Sequence, residues 1–572
     1  MKRLYWFLGA LLIVGAGVGV DSDAQTAAGG KTTKVAWKKI TLDRIFRSEG
    51  AGVADLNKDG KLDVVVGDCW YEAPKDSGGE WKRHILRADR KFDLLVYSDS
   101  FCCFSDDHFN GDGWVDVIVI PFPGRPCYWY ENPGAKGGLW TQHFLTNSAS
   151  NETPIYVDLF KTGKKVLVMG WNPPKDEGDI SKGNTAGSGE MCYFVPGNDP
   201  TKPWNRISIS GTPKGKPFPG CDPFSHGLGA GDVNSDGRLD VLCADGWWEQ
   251  PEKQSGPPTA WKFHRTKITN PCSDMYTLDI DGDGKMDIIS SSAHYWGFWW
   301  SQQKDADSFV QRTLFPSPFD VAKLPTSLKL SDEEQRLFDA VGSVRKVHFS
   351  RSPFAAHPEL CRMARDHAER IAKSNAKEEN INGKYPGKVL TVKTVRVMPP
   401  ADVKETKKDK KDKKGPELTP MQKLALSLMP DNEKDADLVL PGFEIGVGTA
   451  KLDSGEVQYT FVIGDRGQFS LPSQTHALHM VDIDGDGMKD LITGRRWWAH
   501  GPRGDDGAND PAQLYWFQGK KGTDGLISFT PHLIDSDSGV GTSFAIADMN
   551  GDGLPDIIVA NKKGVHVFVQ QR

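Results

Sequence analysis

The segment Asp548–Asp556 reads Asp-Met-Asn-Gly-Asp-Gly-Leu-Pro-Asp, and the apolar run Ile557-Ile558-Val559 follows it directly. Oxygen-bearing side chains at positions 1, 3 and 5 of such a loop converge on one point. The glycine at position 6 allows a sharp turn, and the acid at position 9 completes a shell that suits Ca²⁺. An EF-hand would need a further acid at position 12 and flanking helices, whereas β-branched residues flank these loops. The segment therefore predicts a calcium loop between two strands.

The same pattern recurs along the chain. Five copies are complete, with their ligand positions at Asp55, Asn57, Asp59 and Asp63; Asp232, Asn234, Asp236 and Asp240; Asp279, Asp281, Asp283 and Asp287; Asp482, Asp484, Asp486 and Asp490; and Asp548, Asn550, Asp552 and Asp556. A sixth copy begins with His108 and keeps Asn110, Asp112 and Asp116, so we expect it to bind Ca²⁺ weakly. A seventh begins at Asp158, but Phe160 and Thr162 cannot supply carboxylate charge, and we expect no ion there.

A second element precedes each loop. It is a short alternating segment that starts with an aromatic residue, as in Trp37-Lys-Lys-Ile-Thr-Leu and Phe529-Thr-Pro-His-Leu-Ile, and it is typical of a half-buried strand. Seven such segments and seven loops predict an all-β chain made of seven four-stranded units, which is a seven-bladed β-propeller. The first strand, Trp37 to Leu42, is expected to pair with the last, Val565 to Gln570, and so to close the ring.

These repeats resemble the FG-GAP/VCBS repeats of the integrin α-subunit propeller over residues 36–318 and 465–572. That resemblance implies a secreted binding module for carbohydrate or cell-surface ligands. The segments at 473–479 (Ser-Gln-Thr-His-Ala-Leu-His) and 247–251 (Trp-Trp-Glu-Gln-Pro) resemble, less specifically, the propeller of fungal aldos-2-ulose dehydratases. The second resemblance implies a lyase or isomerase acting on a sugar.

Residues 319–464 interrupt the repeats. Ser331-Asp-Glu-Glu334 is a capping box that opens a predicted helix over 335–349, and a second helix is predicted over 357–374. The Lys-rich loop 402–415 is expected to be disordered. Two strand-like runs close the insert.

Three pieces of the insert resemble the cysteine-rich secretory/antigen-5/pathogenesis-related (CAP) family. They are Glu334–His348, the segment from His357 to Ala372, and the two closing runs, which begin near Ile445 and Tyr459. The middle elements that line the cavity of that family are missing here. The resemblance therefore implies a degenerate, structural CAP-like module, and an architectural scaffold that displays it is a third possible function.

The residue six positions before the first position of each loop lies at the opposite end of the inner strand, roughly 20 Å from the cation loops. Among these residues are Glu49, Glu152, His226 and His476, which could bind Zn²⁺ or another divalent ion, or act as acid and base. In the lyase reading, the histidines hold the metal and a glutamate is the base. Polar and aromatic residues expected at the same channel mouth suit a sugar-like or carboxylated ligand: Trp70, Trp247, Trp248, Asp274, His294, Tyr295, Arg495, Arg496 and Trp497. The alternative is that the polar ring only holds water and the tryptophans pack between blades. The predicted connection also places the insert over this mouth.

Composition and the N-terminal sequence limit the partners and the cellular compartment that we expect for this protein. The 572-residue chain has a net charge of −6 and therefore no electrostatic footprint for nucleic acid. Lys2 and Arg3 precede an apolar run, so residues 1–24 are predicted to be a cleaved signal peptide, which makes the protein periplasmic or secreted. No membrane span is expected after its removal. Nine cysteines allow disulfides in that compartment without revealing their pairing.

Overall fold

The computed structural model describes residues 35–173, 189–252, 260–315, 328–398, 418–427, 444–465, 472–522 and 527–571, except 77, 214, 223, 348, 350, 352–353, 375–383 and 387. The predicted signal peptide and the Lys-rich loop 402–415 lie outside the described residues. The chain divides into two compact units. The first comprises Met1–Phe315, Pro472–Gly501 and Pro511–Arg572, and the second comprises Pro316–Leu471 and Pro502–Asp510. The second unit contains the predicted insert 319–464, and it also takes residues 502–510, which the sequence analysis left with the repeats.

Within the described residues, the first unit contains seven four-stranded antiparallel sheets. The chain enters it with β1 (Ala36–Asp43). Sheets one to five follow in order: β2 (Gly52–Ala54), β3 (Asp63–Val65), β4 (Cys69–Glu72), β5 (Lys82–Ile85); β6 (Cys102–Asp107), β7 (Asp116–Ile120), β8 (Cys127–Glu131), β9 (Thr141–Thr146); β10 (Ile155–Val157), β11 (Val166–Trp171), β12 (Glu190–Val195), β13 (Asn205–Ser208); β14 (Leu228–Gly231), β15 (Asp240–Cys243), β16 (Gly246–Glu249), β17 (Lys262–Arg265); and β18 (Met275–Leu278), β19 (Asp287–Ser291), β20 (Phe298–Asp305), β21 (Ser308–Thr313).

The second unit lies next in the chain and holds one sheet and three helices within the described residues. Its strands are β22 (Ala355–Ala356), β23 (Lys388–Val397), β24 (Glu444–Lys451) and β25 (Val457–Asp465), in the order β22-β24-β25-β23, with β22 parallel to β24. Its helices are α1 (Asp332–Val347), α2 (Pro358–Ser374) and α3 (Pro420–Ser427). Both predicted helices and both closing strands are present, whereas β23 and α3 were not predicted.

The capping box of the second unit forms as the sequence predicts. The backbone N–H of Ser331 donates to Oε2 of Glu334 at 2.8 Å, and the N–H of Glu334 donates to Oγ of Ser331 at 3.3 Å. Helix α2 packs so closely on β24 that a Cβ atom at Gly446 or Gly448 would collide with the backbone of the helix. The apolar face of α1 completes a core with this sheet.

The remaining strands return to the first unit and include its closure. Sheet six is β26 (Leu478–Val481), β27 (Asp490–Gly494), β28 (Leu514–Lys521) and β29 (Ile527–Asp535), and sheet seven combines β30 (Phe544–Ala547), β31 (Asp556–Asn561) and β32 (Gly564–Gln571) with β1. Strand β1 pairs antiparallel with β32, so that Trp37 lies opposite Gln570 and Ile40 opposite Val567. The predicted pairing of the first and last strands is confirmed.

Each sheet packs on the next one along the chain. Its second strand is an apolar run with nearly every residue buried, as in β7, because both of its faces contact neighbouring sheets. Apolar clusters join sheets one and two, two and three, three and four, four and five, six and seven, and seven and one. Sheets five and six meet through the Tyr276 hydroxyl and Nδ1 of His479, 2.8 Å apart. The series of contacts thus returns to its start.

Candidate functional site

Four predicted residues stand immediately before the first strand of their sheets. Glu49 precedes β2, Glu152 precedes β10, His226 precedes β14 and His476 precedes β26, each by two or three residues. Because these are equivalent positions in repeated sheets, the fold brings their side chains to one end of the inner strands. The structure gathers all four around Arg496, which follows β27.

Arg496 joins the two glutamates. Its Nη2 donates to Oε1 of Glu49 at 2.6 Å, and its Nη1 donates to Oε2 of Glu152 at 2.9 Å. The backbone N–H and the hydroxyl of Ser98 each donate to the other oxygen of Glu49 at 3.1 Å. All four side chains are buried, and the guanidinium lies 5.0 Å from the centroid of the Phe101 ring. Such a buried charge cluster is stable only because each charged group has a partner.

The protonation of this cluster follows from its contacts. Burial favours the neutral form of Glu152, but the adjacent imidazole of His226 and the positive charge of Arg496 outweigh it and lower the pKa of Glu152 to about 2. Burial opposes the charge on Arg496 as well, yet the two glutamates raise the pKa of the guanidinium overall. Glu152 is therefore ionised at neutral pH beside the charged guanidinium of Arg496.

Three imidazoles lie beside Glu152. The ring centroids of His226, His294 and His476 are 4.9 to 5.4 Å apart, and one nitrogen from each lies within 4.8 Å of the others. Nε2 of His226 is 3.3 Å from Oε2 of Glu152. Burial, and then the charge of Arg496, hold the pKa of His476 well below its ordinary value. A neutral imidazole is the form that binds metals. We call His226, His294 and His476 the imidazole cluster.

Two of the three residues of the imidazole cluster are partly exposed. His476 is fully buried, whereas His226 and His294 are half-buried, and the exposed His500 has its ring 4.7 Å from that of His294. Three imidazoles with a neighbouring carboxylate form a donor set that suits Zn²⁺ or a similar divalent ion. The sequence analysis assigned His294 to ligand binding and missed His500 and Ser98, since neither belongs to the position that repeats before each loop.

The other predicted mouth residues have different surroundings. Asp274 is half-buried and accepts a hydrogen bond from the backbone N–H of Leu478 at 3.1 Å. Desolvation raises its pKa to about 7, against the effect of that hydrogen bond. Arg495 donates to the carbonyl of Pro511 at 3.1 Å. Trp497 stacks on Trp498, with their ring centroids 4.0 Å apart. Tyr295 is 65% exposed.

Three predicted tryptophans do not reach this site. Trp247 and Trp248 are fully buried, and Trp247 stacks on His264 at 3.9 Å while its Nε1 donates to the carbonyl of Ala306. Trp70 stacks in the same way on His84 at 4.2 Å. These side chains lie on the third strand of a sheet and pack against the fourth strand and the next sheet, so they do not form an exposed shelf for a ligand. The prediction that Trp70, Trp247 and Trp248 bind a ligand at the channel mouth is therefore wrong.

The seven predicted cation loops share one backbone conformation. Positions 4 and 6 have positive φ angles in each loop that the pattern defines, as at Lys58 (60°) and Gly60 (85°). In the first loop the carboxylate of Asp55 accepts the backbone N–H groups of Asp59 at 3.1 Å and Gly60 at 2.9 Å. The loop at Asp158 keeps this turn, and its other positions carry Phe160 and Thr162.

Carboxylate oxygens cluster in two of these loops within 4.8 Å of one another. The sets are Asp279, Asp281 and Asp283, and Asp482, Asp484 and Asp490. This spacing of hard oxygen donors fits a calcium ion.

The acid at position 9 has a structural role that the sequence analysis did not predict. Asp63 is fully buried, and its two oxygens accept the backbone N–H groups of Leu56 at 3.0 Å and Ala73 at 2.8 Å. The carboxylate thereby ties the loop to the residue that follows the third strand. The equivalent residues form the same pair of bonds: Asp116, Asp240, Asp490 and Asp556. Burial raises the pKa of Asp63 to about 7, against these hydrogen bonds.

Comparison with known proteins identifies one of the repeats. Residues 540–568, which contain the loop Asp548–Asp556, match the FG-GAP repeat family. No curated protein matches the chain. Among solved structures, the Tc holotoxin pore of Photorhabdus luminescens is similar at 17% identity and a TM-score of 0.22, over 52% of this chain and 13% of that one. Within the described residues, no helix is both long and apolar enough to cross a membrane.

Proposed function

We propose that this protein is an exported, Ca²⁺-stabilised seven-bladed β-propeller that binds a carbohydrate, free or on a cell surface, at the mouth of its central channel. In this proposal, a divalent metal ion held by the imidazole cluster takes part in ligand binding. The FG-GAP match and the seven four-stranded sheets support the architecture. The contacts that run from each sheet to the next, and from the seventh back to the first, support a closed ring.

Calcium is the proposed structural cofactor of the loops. Five loops carry the full set of oxygen donors, and in one of them the carboxylates of positions 1, 3 and 5, Asp279, Asp281 and Asp283, lie within 4.8 Å of one another. An ion bound only in the folded state stabilises that state by mass action. The loops therefore contribute to stability, and the opposite end of the channel is left for ligands.

The imidazole cluster carries the functional proposal. Three histidines from separate sheets meet beside the ionised Glu152, and two of them are partly exposed. In this proposal the ligand fills the remaining coordination position of the ion. Hydroxyl or carboxylate oxygens of a sugar are suitable donors to such a position. Arg496 holds Glu152 in place and supplies the charge that keeps His476 neutral.

A metal-assisted sugar lyase or isomerase is the second candidate. Three histidine ligands with a fourth position for water or substrate are the arrangement of catalytic zinc, and this observation favours the enzyme. Both glutamates suggested as the base, Glu49 and Glu152, accept hydrogen bonds from Arg496. Proton abstraction would require Arg496 to release one of them, which makes binding without catalysis the better supported function. The CAP-like ancestry of the second unit is likewise a proposal, and it assigns no activity.

Cobalt binding tests the metal centre. The protein is treated with chelator, returned to excess Ca²⁺ so that the loops are filled, and titrated with Co²⁺ while visible absorption is recorded. We expect one Co²⁺ per chain, and we expect His294→Ala and His476→Ala to lose it. His84→Ala is the matched control, since His84 stacks on Trp70 away from the cluster. Absence of Co²⁺ binding by the wild type, or equal binding by the His294 variant, would overturn the metal centre.

A further inference from the structure

An unassigned row of aromatic rings borders the imidazole cluster. The rings of Phe224, Phe122 and Tyr97 form a row in space. The centroids of Phe224 and Phe122 are 5.4 Å apart, and those of Phe122 and Tyr97 are 4.7 Å apart. Tyr97 lies before β6, Phe122 follows β7 and Phe224 precedes β14, so only the fold brings them together. Phe224 is 48% exposed, and the other two are half-buried. We call these three residues the aromatic ladder.

Phe224 has an unfavourable backbone conformation. Its φ angle is 64°, in the left-handed region, which is unfavourable for a bulky side chain. Burial does not offset this cost, because nearly half of the ring surface remains exposed to solvent. Strained residues of this kind cluster at binding and catalytic sites, where the strain holds a group in a working position.

The aromatic ladder is continuous with the imidazole cluster. Phe224 precedes His226 by two residues, and the carbonyl of Ser225 between them accepts the backbone N–H of Glu152 at 3.0 Å. At the other end of the ladder, the Tyr97 ring lies 6.1 Å from that of His500 and 5.8 Å from the guanidinium of Arg496. A ligand at the cluster that extends by one more unit would therefore reach the ladder.

A pair of charged residues lies beside the middle ring of the ladder. The guanidinium of Arg125 lies 5.8 Å from the centroid of the Phe122 ring and forms a 2.7 Å ion pair with Asp99. Aromatic faces beside hydrogen-bonding groups match a pyranose, which offers an apolar face of C–H groups and a rim of hydroxyls.

We infer that the aromatic ladder is a carbohydrate subsite that receives the sugar unit next to the one bound at the imidazole cluster. The inference rests on the proposed function for the position of that first sugar. It names oligosaccharides, rather than single sugars, as the ligand class.

Substitution of Phe224 tests the subsite. Asparagine tolerates the left-handed backbone and removes the ring, so Phe224→Asn separates binding from folding. Cellotetraose, xylotetraose, mannotetraose and tetragalacturonate are titrated by calorimetry into protein loaded with Ca²⁺ and Zn²⁺. We expect at least one to bind, Phe224→Asn to weaken its binding by about tenfold, the scale of one lost ring contact, and Phe224→Trp to retain it. Leu139→Asn, which replaces another exposed apolar side chain (65% exposed), should bind like the wild type.

The outcomes separate the subsite from the metal centre. We expect the melting temperature of Phe224→Asn to equal or exceed that of the wild type, because the strain is relieved. If no tetrasaccharide binds the wild type, or if Phe224→Asn binds as tightly, the subsite is wrong even where Co²⁺ titration confirms the metal. If chelated protein binds the sugar and Phe224→Asn does not, the subsite stands and the role of the metal in binding falls.

Discussion

Arg496 and Glu49 form a 2.6 Å ion pair between residues that are 447 positions apart in the chain, and both side chains are almost completely buried. Glu49 leads into the first sheet and Arg496 leaves the second strand of the sixth. Since the same guanidinium also binds Glu152 of the third sheet, one side chain links three sheets at the candidate site. The position of the imidazole cluster therefore depends on this arginine.

Replacing Arg496 should lower the stability of the folded protein. Arg496→Met leaves Glu49 and Glu152 buried without a counter-ion, and we expect the free energy of unfolding to fall by about 3–5 kcal/mol. Urea denaturation in excess Ca²⁺ measures it. The variant that also carries Glu49→Gln and Glu152→Gln should recover part of the loss, because the uncompensated charges are gone. A loss below about 1 kcal/mol in Arg496→Met would show that water reaches the cluster.

The acids at position 9 should stabilise the sheets without calcium. Asp240 accepts two backbone N–H groups, and in Asp240→Asn one of them faces an amide that cannot accept. We expect a loss of about 1–3 kcal/mol in chelator, measured by urea denaturation. Asp59→Asn, at position 5 of the first loop, is the control, since its amide oxygen can still accept the backbone N–H of Lys61. That variant should match the wild type in chelator and lose only calcium-dependent stability. Equal effects of the two variants in chelator would contradict this.

The loop at Asp158 should gain a calcium site by substitution. It has the backbone of the other loops, and it lacks acids where Phe160 and Thr162 stand. Phe160→Asp with Thr162→Asp should add one Ca²⁺ per chain in equilibrium dialysis. Without calcium the variant should melt below the wild type, because the Phe160 ring packs on Tyr193. An unchanged stoichiometry would mean that the backbone conformation does not suffice for binding.

Acid should weaken the pairing of β1 with β32. His566 on β32 is buried, with Nδ1 3.2 Å from the hydroxyl of Thr41 on β1, and burial lowers its pKa from 6.5 to about 4. Because the folded pKa lies below the unfolded one, the stability that His566 contributes is present above pH 6.5. It is lost as the pH falls toward 4, by roughly 3 kcal/mol. Urea denaturation between pH 7 and 4.5 should therefore show a smaller loss for His566→Gln than for the wild type. Parallel curves would place the acid sensitivity elsewhere.

The sequence predicted features that depend on local spacing. The loops, the order of strands, the capping box at Ser331 and the pairing of β1 with β32 all follow from periodic patterns. The burial of Trp247 and the ion pairs of Arg496 with Glu49 and Glu152 could not be read in this way. They depend on which neighbouring sheet each side chain meets, and that contact joins residues far apart in the chain. The convergence of His226 and His476 was predictable because they hold equivalent positions in repeated units. His294 was expected at the same channel mouth, in the turn after a second strand, and the structure adds that its ring lies next to those of His226 and His476.

The pairing of β1 with β32 has a consequence for the timing of assembly. Thr41 meets His566 across 525 positions, so the seventh sheet cannot form until nearly the whole chain has been synthesised. Until then β1 is an unpaired strand that other chains can join, the condition that leads to aggregation during folding. Contacts between residues so distant in the chain also form slowly. A chain that stays extended until its last strand has been made would avoid this aggregation. Translocation across a membrane keeps a chain extended in this way.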